Sequence, residues 1–461
     1  MRILHVANGL PPSARAGVEQ YTLALAREQM QRHSVSIFCR ERAPHVADYT
    51  IYDEIQSGLP IRRVVNNFRR VSGLESHYRD PTIEDIFRAY VRDTRPDLIH
   101  FQHCIGLSAG LPAIAGQLRI PIVLTLHDYW YICPTTRLLT RQMAVCSGPH
   151  RNAECGGCLG LAVAASGVLH RIPAYERLRD TFLPRFVQRE ALRLLERSRA
   201  ASRFSAGRMP QAYLDRMRFM QRMLAGIPRL IAPSAFCARV YLDYGVRAEA
   251  LRVLPWGMDL ARWGSVPTVQ FANRLRFGYI GTLAAHKGVD VLVRAFRRLR
   301  GENVELHVFG ANAPDDPFES ELRRTASGDT RIRFHGRYDN ERLPGLLADI
   351  DVVVIPSRWH ETFSIATHEA LLAGRAVIAS RVGAIPEVIV DGLNGLLVPP
   401  SDEACLTAAL VRLQDDRALA AHLAQAAKAT SHVSMAQHAE HMESVYDDLL
   451  RASRRGDVYI S

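Results

Sequence analysis

An α/β fold with two Rossmann-like, doubly wound parallel-sheet domains is the fold class that the sequence predicts. The 461 residues are 48% hydrophobic and 23% charged, an ordinary globular composition with enough apolar material for two cores. In the first third of the chain, short β-branched runs alternate with stretches of helical apolar period. The same alternation begins again near residue 275, which predicts a second sheet.

The first series of elements starts at the N-terminus. We predict strands over residues 3–6, 35–39, 97–102, 122–126 and 229–232, and a helix over 18–31. The alternation breaks after Tyr131. There a cysteine-bearing loop over residues 133–158 precedes an Arg-rich helical insert over residues 170–229.

The second series supplies the other domain, with predicted strands over residues 275–280, 304–309, 352–355 and 377–379. Residues 255–267 have no long periodic element, so this segment is expected to link the two sheets. The predicted domains are therefore residues 1–265 and 266–433. Helical spacing in the remaining segment, 434–461, predicts a closing helix that packs back across the linker.

Charge and targeting signals restrict the class of protein. The formal net charge of +11 favours an anionic partner, such as nucleic acid, anionic lipid or a phosphorylated substrate. The first residues have the pattern of a buried strand rather than a signal peptide, and no stretch reaches the ~18 uncharged apolar residues that cross a bilayer. A cytoplasmic protein is expected, in which eight cysteines argue against a disulfide framework.

Two loops that lead from a predicted strand into a helix are candidate phosphate sites, because helix N-termini at the carboxyl ends of parallel strands attract anions. The first loop ends in Gly17, which either lets the backbone approach a ligand closely or only shapes the turn. The second loop carries Lys287 beside a helix start, where an ammonium suits a diphosphate. A solvated surface lysine is the alternative.

A third segment, residues 356–374, carries two carboxylates around a helix start predicted near Phe363 or Ser364. Glu361 lies on the loop that enters the helix, and Glu369 lies about a turn inside it. Each carboxylate then has a separate task. As hydrogen-bond acceptors, they suit the hydroxyls of a sugar and a ribose better than a shared metal.

These motifs together resemble a known family. Glu361 and Glu369 with seven residues between them, followed by the motif that ends in Glu387, resemble the retaining GT-B glycosyltransferases of family 4, the glycosyl transferases group 1. The motifs that agree further are Gly17-Val-Glu19, His127-Asp128, Pro233-Ser234, Pro255-Trp-Gly-Met-Asp259, Lys287-Gly288, Ala373-Gly374 and Asp391-Gly-Leu-Asn-Gly395. They occur in the family's order along nearly the whole chain.

The resemblance implies two domains that face each other across a cleft and a nucleotide-diphosphate-sugar donor. Glu369 would bind the ribose, Glu361 the donor sugar, and His127 would point toward that sugar. The diphosphate would be held by Lys287, by the amides of Phe363, Ser364 and Ile365, and by the close approach of Gly17. Catalysis would rest on His127, Glu361 and Lys287, with retention and without a required cofactor or protein nucleophile.

One departure from the family concerns the diphosphate. Many members carry an Arg five residues before the lysine, where this chain has Thr282. We hypothesise that Arg358 or Arg381 supplies the missing charge from a neighbouring loop.

Two groups of residues are candidates for a metal. Four cysteines in the loop suit tetrahedral zinc, although redox-linked thiols or buried gap-filling cysteines are equally good interpretations: Cys133, Cys146, Cys155 and Cys158. The Asp349-Ile-Asp351 run spells a metal-binding motif of other glycosyltransferases. Because it leads directly into a buried apolar run, we interpret it as a strand entry.

The insert carries much of the positive charge, with fourteen arginines and five acids between Arg171 and Arg229. Interleaved with apolar residues at helical spacing, these arginines suit an anionic membrane surface, where lipid-linked acceptors are held. The alternative is a solvated face on helices whose apolar side packs on the first domain. The first interpretation predicts a peripheral location on the inner face of the membrane.

The sequence therefore predicts a retaining hexosyltransferase that acts on a saccharide or lipid-linked saccharide, in polysaccharide or glycoconjugate biosynthesis. A GT-B sugar-nucleotide epimerase is the first alternative, because it would use similar phosphate contacts. An Arg-rich nucleic-acid-binding protein is the second, and it predicts steeply salt-dependent binding. Nucleic acid is the less favoured partner, since the charge is concentrated in one insert.

Overall fold

The computed structural model describes residues 1–14, 16–69, 74–140, 143–146, 148, 155, 211–271, 274–312 and 316–455. These residues form two parallel sheets with helices packed on them, which confirms the predicted fold class.

The first sheet has eight strands in the order β3-β4-β2-β1-β5-β6-β7-β8. Their bounds are β1 Arg2–Ala7, β2 Ser34–Glu41, β3 Ile51–Gln56, β4 Leu59–Val65, β5 Leu98–Phe101, β6 Ile122–Thr125, β7 Arg229–Ala232 and β8 Leu251–Val253. Every neighbouring pair is parallel except β3 and β4, which form an antiparallel hairpin at one edge.

The second sheet has six parallel strands in the order β11-β10-β9-β12-β13-β14. Their bounds are β9 Leu275–Ile280, β10 Val304–Phe309, β11 Ile332–Gly336, β12 Val352–Ile355, β13 Ala376–Ser380 and β14 Leu396–Val398. Strand β12, inside this sheet, is buried on both faces and is a continuous apolar run with the sequence Val-Val-Val-Ile.

The described helices cover both sheets. They are α1 Gly17–Met30, α2 Pro81–Thr94, α3 Leu111–Gln117, α4 Gln211–Ala225, α5 Ala235–Asp243, α6 Val289–Arg297, α7 Pro317–Ala326, α8 Leu343–Ala348, α9 Ile365–Leu372, α10 Ile385–Val388, α11 Glu403–Asp415, α12 Arg417–Lys428 and α13 Met435–Arg454. Among them, none combines the length and hydropathy that spanning a bilayer requires.

The chain crosses between the domains at two places that are hydrogen-bonded to each other. The amide of Met258 donates to the carbonyl of Val433 at 2.8 Å, and the amide of Met435 donates to the carbonyl of Met258 at 3.0 Å. A Cβ at Gly257 would lie 2.6 Å from Cα of Met435, so only glycine permits this approach. The linker and the start of α13 are thus paired side by side.

The C-terminal helix α13 returns to the first domain. Met442, Tyr446 and Leu449 are buried in the same apolar cluster as residues of α1 and β1. At the surface, the Arg32 guanidinium donates to both carboxylate oxygens of Glu443, at 3.0 and 3.1 Å. This helix therefore belongs by its packing to the N-terminal sheet, although it follows the second domain in sequence.

Only the end of the Arg-rich insert is described, as α4. Its Tyr213, Arg216, Met220 and Leu224 are buried, and the two apolar ones belong to the core of the first domain. For this part, the structure shows an apolar side packed on the first domain, which is the alternative interpretation of the insert. Residues 170–210 lie outside the described residues.

Candidate functional site

The predicted site residues follow the carboxyl ends of strands in both sheets. Lys287 follows β9, Glu361 follows β12 and His127 follows β6. In a doubly wound fold this edge is where loops and helix N-termini meet a ligand. The two edges are in contact, since Oγ1 of Thr362 donates to the carbonyl of His127 at 2.8 Å.

Lys287 and Glu361 form an ion pair at the centre of this site. The Lys287 Nζ atom lies 2.8 Å from Oε1 of Glu361, and the Ser357 hydroxyl donates to the same oxygen at 2.8 Å. The Lys287 side chain is 30% exposed, whereas the Glu361 side chain is 7% exposed. The ammonium also lies 4.9 Å from the centroid of the Trp359 ring. The Lys287 ammonium is thus the more exposed partner of a buried carboxylate that Ser357 also holds.

The start of α9 lies between the two domains. Its N-cap residue, Ser364, has a left-handed backbone with φ of 65°, and the first amides of a helix lack intrahelical acceptors. A Cβ at Gly17 would lie 2.7 Å from Cδ1 of Ile365, so the backbone of α1 approaches this helix start closely. Phe363 packs on Trp256 of the linker, with ring centroids 5.1 Å apart. The structure therefore brings Gly17 together with the predicted diphosphate amides.

Glu369 lies one turn inside α9 and is partly buried. Burial raises the pKa of its carboxyl to about 7, and the charge of Arg262 opposes this shift. Within the described residues, the Glu369 side chain has no ion pair or hydrogen bond. A carboxyl with a raised pKa and no partner among the described residues is suited to gain one from a ligand.

His127 is buried and neutral. Its Nε2 atom lies 2.8 Å from Oε1 of Gln102, and its Nδ1 atom has no hydrogen-bond partner in the described part of the chain. Burial holds the pKa of this imidazole well below its ordinary value, and the charges of His103 and His438 act in the same direction. The ring packs edge-on against Tyr21 and Trp256. A neutral ring can position a sugar hydroxyl by hydrogen bonding, whereas an imidazolium is the form suited to transfer a proton as a general acid.

A further contact between the domains was not predicted from the sequence. The Glu387 carboxylate accepts hydrogen bonds from the backbone amides of Ala235, at 3.0 Å, and Phe236, at 2.5 Å. These are the first amides of α5, so a carboxylate of the second domain caps a helix of the first. The sequence marks Glu387 only as part of a motif, and its partner is more than 150 residues away.

The two hypothetical replacements for the missing phosphate arginine are already paired. Arg358 donates to both oxygens of Asp290, at 2.9 and 2.8 Å, and Arg381 lies 2.8 Å from Asp391. The charge of each guanidinium is thus largely compensated before a ligand arrives.

A third arginine stands near the phosphate loop instead. The pKa of His286 is lowered to about 3, first by burial and then by the charges of Arg137 and Lys287. Arg137 belongs to the loop after Cys133, and the ring of His286 packs edge-on against Trp359, with centroids 5.9 Å apart. The sequence could not indicate Arg137, because the proximity arises between loops of different domains.

The structure bears differently on the two metal candidates, the Asp349-Ile-Asp351 run and the cysteine loop. Asp351 is bound by Arg276 through both oxygens, at 2.8 and 3.1 Å, and precedes β12, as a strand-entry residue does. For zinc, the described residues contain no group of three His, Cys, Asp or Glu side chains arranged to hold a metal. Cys133, Cys146 and Cys155 form no disulfide bond, and Cys158 lies outside the described residues. The zinc prediction thus receives no support from the described part of the loop.

Two family matches cover much of the chain. Residues 274–416 match the family described as Glycosyl transferases group 1, and residues 15–153 match the family described as Glycosyltransferase Family 4. The matched regions contain all the predicted donor-site residues, and the Arg-rich insert falls between them.

Curated relatives match over shorter segments. An MMP alpha-(1->4)-mannosyltransferase of Mycolicibacterium hassiacum is 34% identical over 222 residues, which are 47% of this chain and 52% of the relative. A D-inositol 3-phosphate glycosyltransferase of Corynebacterium diphtheriae is 32% identical over 178 residues, 37% of this chain and 42% of the relative. The chain spans about half the length of the curated relatives it matches.

Solved structures share the fold over nearly the whole chain. Anabaena HepE in complex with UDP and glucose has a TM-score of 0.64 at 17% identity, covering 96% of this chain and 99% of that one. A sucrose-phosphate synthase of Thermosynechococcus elongatus has a TM-score of 0.65 at 20% identity, covering 98% and 100%. At these identities the likeness concerns the fold alone.

Proposed function

Because this chain belongs to the group 1, family 4 glycosyltransferases of GT-B fold, we propose that it transfers a hexosyl residue from a nucleoside-diphosphate sugar to a hydroxyl of a saccharide or lipid-linked saccharide, with retention. The observation that carries the proposal is the Lys287–Glu361 pair beside the free amides at the start of α9. This arrangement offers a cation for a leaving diphosphate and a carboxylate for sugar hydroxyls.

The residues then act on separate parts of the donor. Lys287 and the amides of Phe363, Ser364 and Ile365 bind the diphosphate, with the Gly17 backbone on the opposite side. Glu361 and His127 position the sugar, and Glu369 accepts hydrogen bonds from the ribose. Each assignment matches one chemical group of the donor to one electrostatic feature of the site.

Retention in this site requires no protein nucleophile. The bond from the anomeric carbon to the diphosphate oxygen breaks, and its electron pair stays with that oxygen. The acceptor hydroxyl attacks the same face of the sugar, and its proton passes to the leaving phosphate. Lys287 stabilises the charge that develops on the diphosphate, so its interaction is stronger in the transition state than in the ground state.

Nucleotide release from a panel of UDP-, GDP- and ADP-sugars, with and without saccharide and lipid-linked acceptors, tests the proposal. We expect one donor to be consumed in the presence of an acceptor, and the Glu369→Gln variant to lose most of that turnover. HepE binds UDP and glucose in its crystal structure, so UDP-glucose is the first donor in the panel. An isomerised sugar nucleotide without acceptor would establish the epimerase instead, and salt-dependent DNA or RNA binding without turnover would favour the nucleic-acid-binding protein.

Donor affinity should depend on pH through Glu369. Its raised pKa, about 7, means that the carboxyl is protonated below that pH and accepts ribose hydrogen bonds poorly. The affinity for UDP-glucose is therefore expected to fall as the pH decreases below about 7, by up to about tenfold per pH unit, and to level off above it. Calorimetric titration across this range measures the effect, and Glu369→Gln should flatten the curve. An unchanged pH profile in that variant would remove Glu369 from the ribose site.

We also propose that Arg137 supplies the charge that Thr282 does not. The support is that the charge of Arg137 acts on His286, the neighbour of Lys287 in sequence, and lowers its pKa as the charge of Lys287 does. Arg137→Gln should weaken UDP and UDP-glucose binding alike, by about tenfold, because both carry the diphosphate. Arg381→Gln is the matched control, since that arginine is paired with Asp391 at the surface. Equal losses in the two variants would indicate a general effect of positive charge.

The inner membrane face and the zinc site stay predictions. Both depend on residues beyond the described part of the chain, from 170 to 210 for the membrane and Cys158 for zinc. Sedimentation with vesicles containing anionic lipid and metal analysis of the purified protein test them separately.

A further inference from the structure

Beneath the cleft, a set of buried polar side chains forms one connected hydrogen-bond network, of which only His127 is among the proposed donor contacts. All are between 0% and 3% exposed, in a region otherwise filled by apolar strands and α13. We call it the histidine network; its members are His5, Gln29, His100, Gln102, Thr125, His127 and Tyr446.

We propose that Gln102 is a positioning residue that holds His127 as the neutral tautomer protonated on Nε2, so that the Nδ1 lone pair is the atom presented to the donor sugar. The inference rests on the proposed function for the identity of that sugar. The tautomer itself is a property of the unliganded protein.

The proton positions follow from what each atom can donate or accept. The Nε2 atom of Gln102 can only donate, and it lies 3.0 Å from Nδ1 of His5 and 3.1 Å from Nδ1 of His100. Both Nδ1 atoms are therefore acceptors, and the proton of each ring is on Nε2. For His5, that proton meets Oε1 of Gln29 at 2.8 Å. For His100, it meets the Thr125 hydroxyl at 2.7 Å.

The remaining bonds complete the same pattern. The Gln29 amide donates to the Tyr446 hydroxyl at 3.2 Å, and that hydroxyl donates to Nδ1 of His100 at 2.7 Å. The Oε1 atom of Gln102 can only accept, so the hydrogen bond of 2.8 Å to His127 is donated by Nε2 of the ring. The Nδ1 atom of His127 is left with a lone pair and no partner among the described residues.

The opposite orientation of both glutamines is less favourable. It would give His127 a proton on Nδ1, but the Gln102 amide group would then have two N–H bonds and only one acceptor, His127. A buried N–H without an acceptor is costly. In the observed orientation both N–H bonds of Gln102 have an acceptor, and the Nδ1 lone pair of His100 is shared between Gln102 and the Tyr446 hydroxyl. Burial also lowers the pKa of His5 to about 4 and that of His100 well below its ordinary value, so the rings stay neutral.

The tautomer can be measured directly on the full-length, unliganded protein. In ¹⁵N-labelled wild type, NMR of the His127 ring is expected to show a protonated Nε2 and an unprotonated Nδ1. The variant Gln102→Leu should lose this fixed state. Tyr446→Phe is the matched control, because it removes a hydroxyl of the same network that does not contact Oε1 of Gln102, and it should leave the His127 signals unchanged. A protonated Nδ1 in wild type would overturn the proposal, whether or not the variants fold.

Binding measurements separate this proposal from the proposed function. Gln102→Leu should weaken UDP-glucose binding about tenfold while leaving UDP binding nearly unchanged, because only the former carries the sugar. An equal loss for both ligands would show that Gln102 acts through the general fold and contradict the positioning role. Absence of UDP-glucose binding by wild type, together with the expected tautomer, would refute the donor assignment and leave the network intact.

Discussion

Replacing Lys287 by methionine should lower kcat by about 10²- to 10³-fold, with a smaller change in KM. The diphosphate gains negative charge as the bond to the sugar breaks, and the loss of a preorganised cation at such a position removes about 3 to 4 kcal/mol of transition-state stabilisation. Steady-state kinetics with the donor identified by the panel measure the effect. A raised KM with an unchanged kcat would show that Lys287 only binds the donor.

The loss of Lys287 also leaves the Glu361 carboxylate without its cation, so a matched background is needed. In Glu361→Gln a neutral, isosteric amide replaces the carboxylate, and Ser357 can still donate to the side-chain oxygen. Adding Lys287→Met to this variant should lower kcat further, because the charge that develops on the diphosphate then loses its cation. If the second substitution changes nothing, the role of Lys287 is to neutralise Glu361.

Gly288→Ala should destabilise the second domain by about 3 kcal/mol or more. Gly288 has a φ of 71°, and a Cβ there would overlap the carbonyl oxygen of Pro356. The Lys287 loop and the loop that leads to Glu361 would have to separate, so donor turnover is expected to fall as well. The midpoint of thermal unfolding measures the loss of stability.

The control for this substitution is Gly328→Ala. Gly328 has a φ of 86°, but a Cβ there would have no heavy atom within 4 Å. It should cost only the backbone strain, about 1 kcal/mol. Equal shifts of the unfolding midpoint in the two variants would mean that the contact with Pro356 adds nothing to the strain.

Continuous apolar runs made much of the fold predictable. The strands β9, β10 and β12 have the predicted bounds, because most positions of each strand are apolar and buried. Only β12 is entirely apolar, since β9 includes Arg276 and β10 includes Glu305 and His307. The hairpin of β3 and β4 was missed for the opposite reason. Five of the six β3 residues are exposed, so the strand has neither an apolar run nor an alternation to reveal it.

The candidate site was predictable only where motifs mark it. The resemblance to GT-B glycosyltransferases of family 4 is confirmed by the two family matches, and the structure places Lys287 against Glu361. Contacts between distant loops left no such signal, as for Arg137 and for Glu387 at α5. The histidine network did leave a signal in the sequence. His5 and His100 occur inside buried strands, where an ionised ring would be costly.

The paired crossings at Met258 and Val433 limit how the two domains can move relative to each other. Two covalent connections that are hydrogen-bonded side by side act as a hinge between the domains. Rotation of one domain about this hinge is then easier than sliding or twisting, which would break the hydrogen bonds. Every opening would then follow one path, and each closure would return Gly17 to the same point on α9. The alignment of the candidate site is therefore set in part by backbone hydrogen bonds between the two crossings, which lie outside that site.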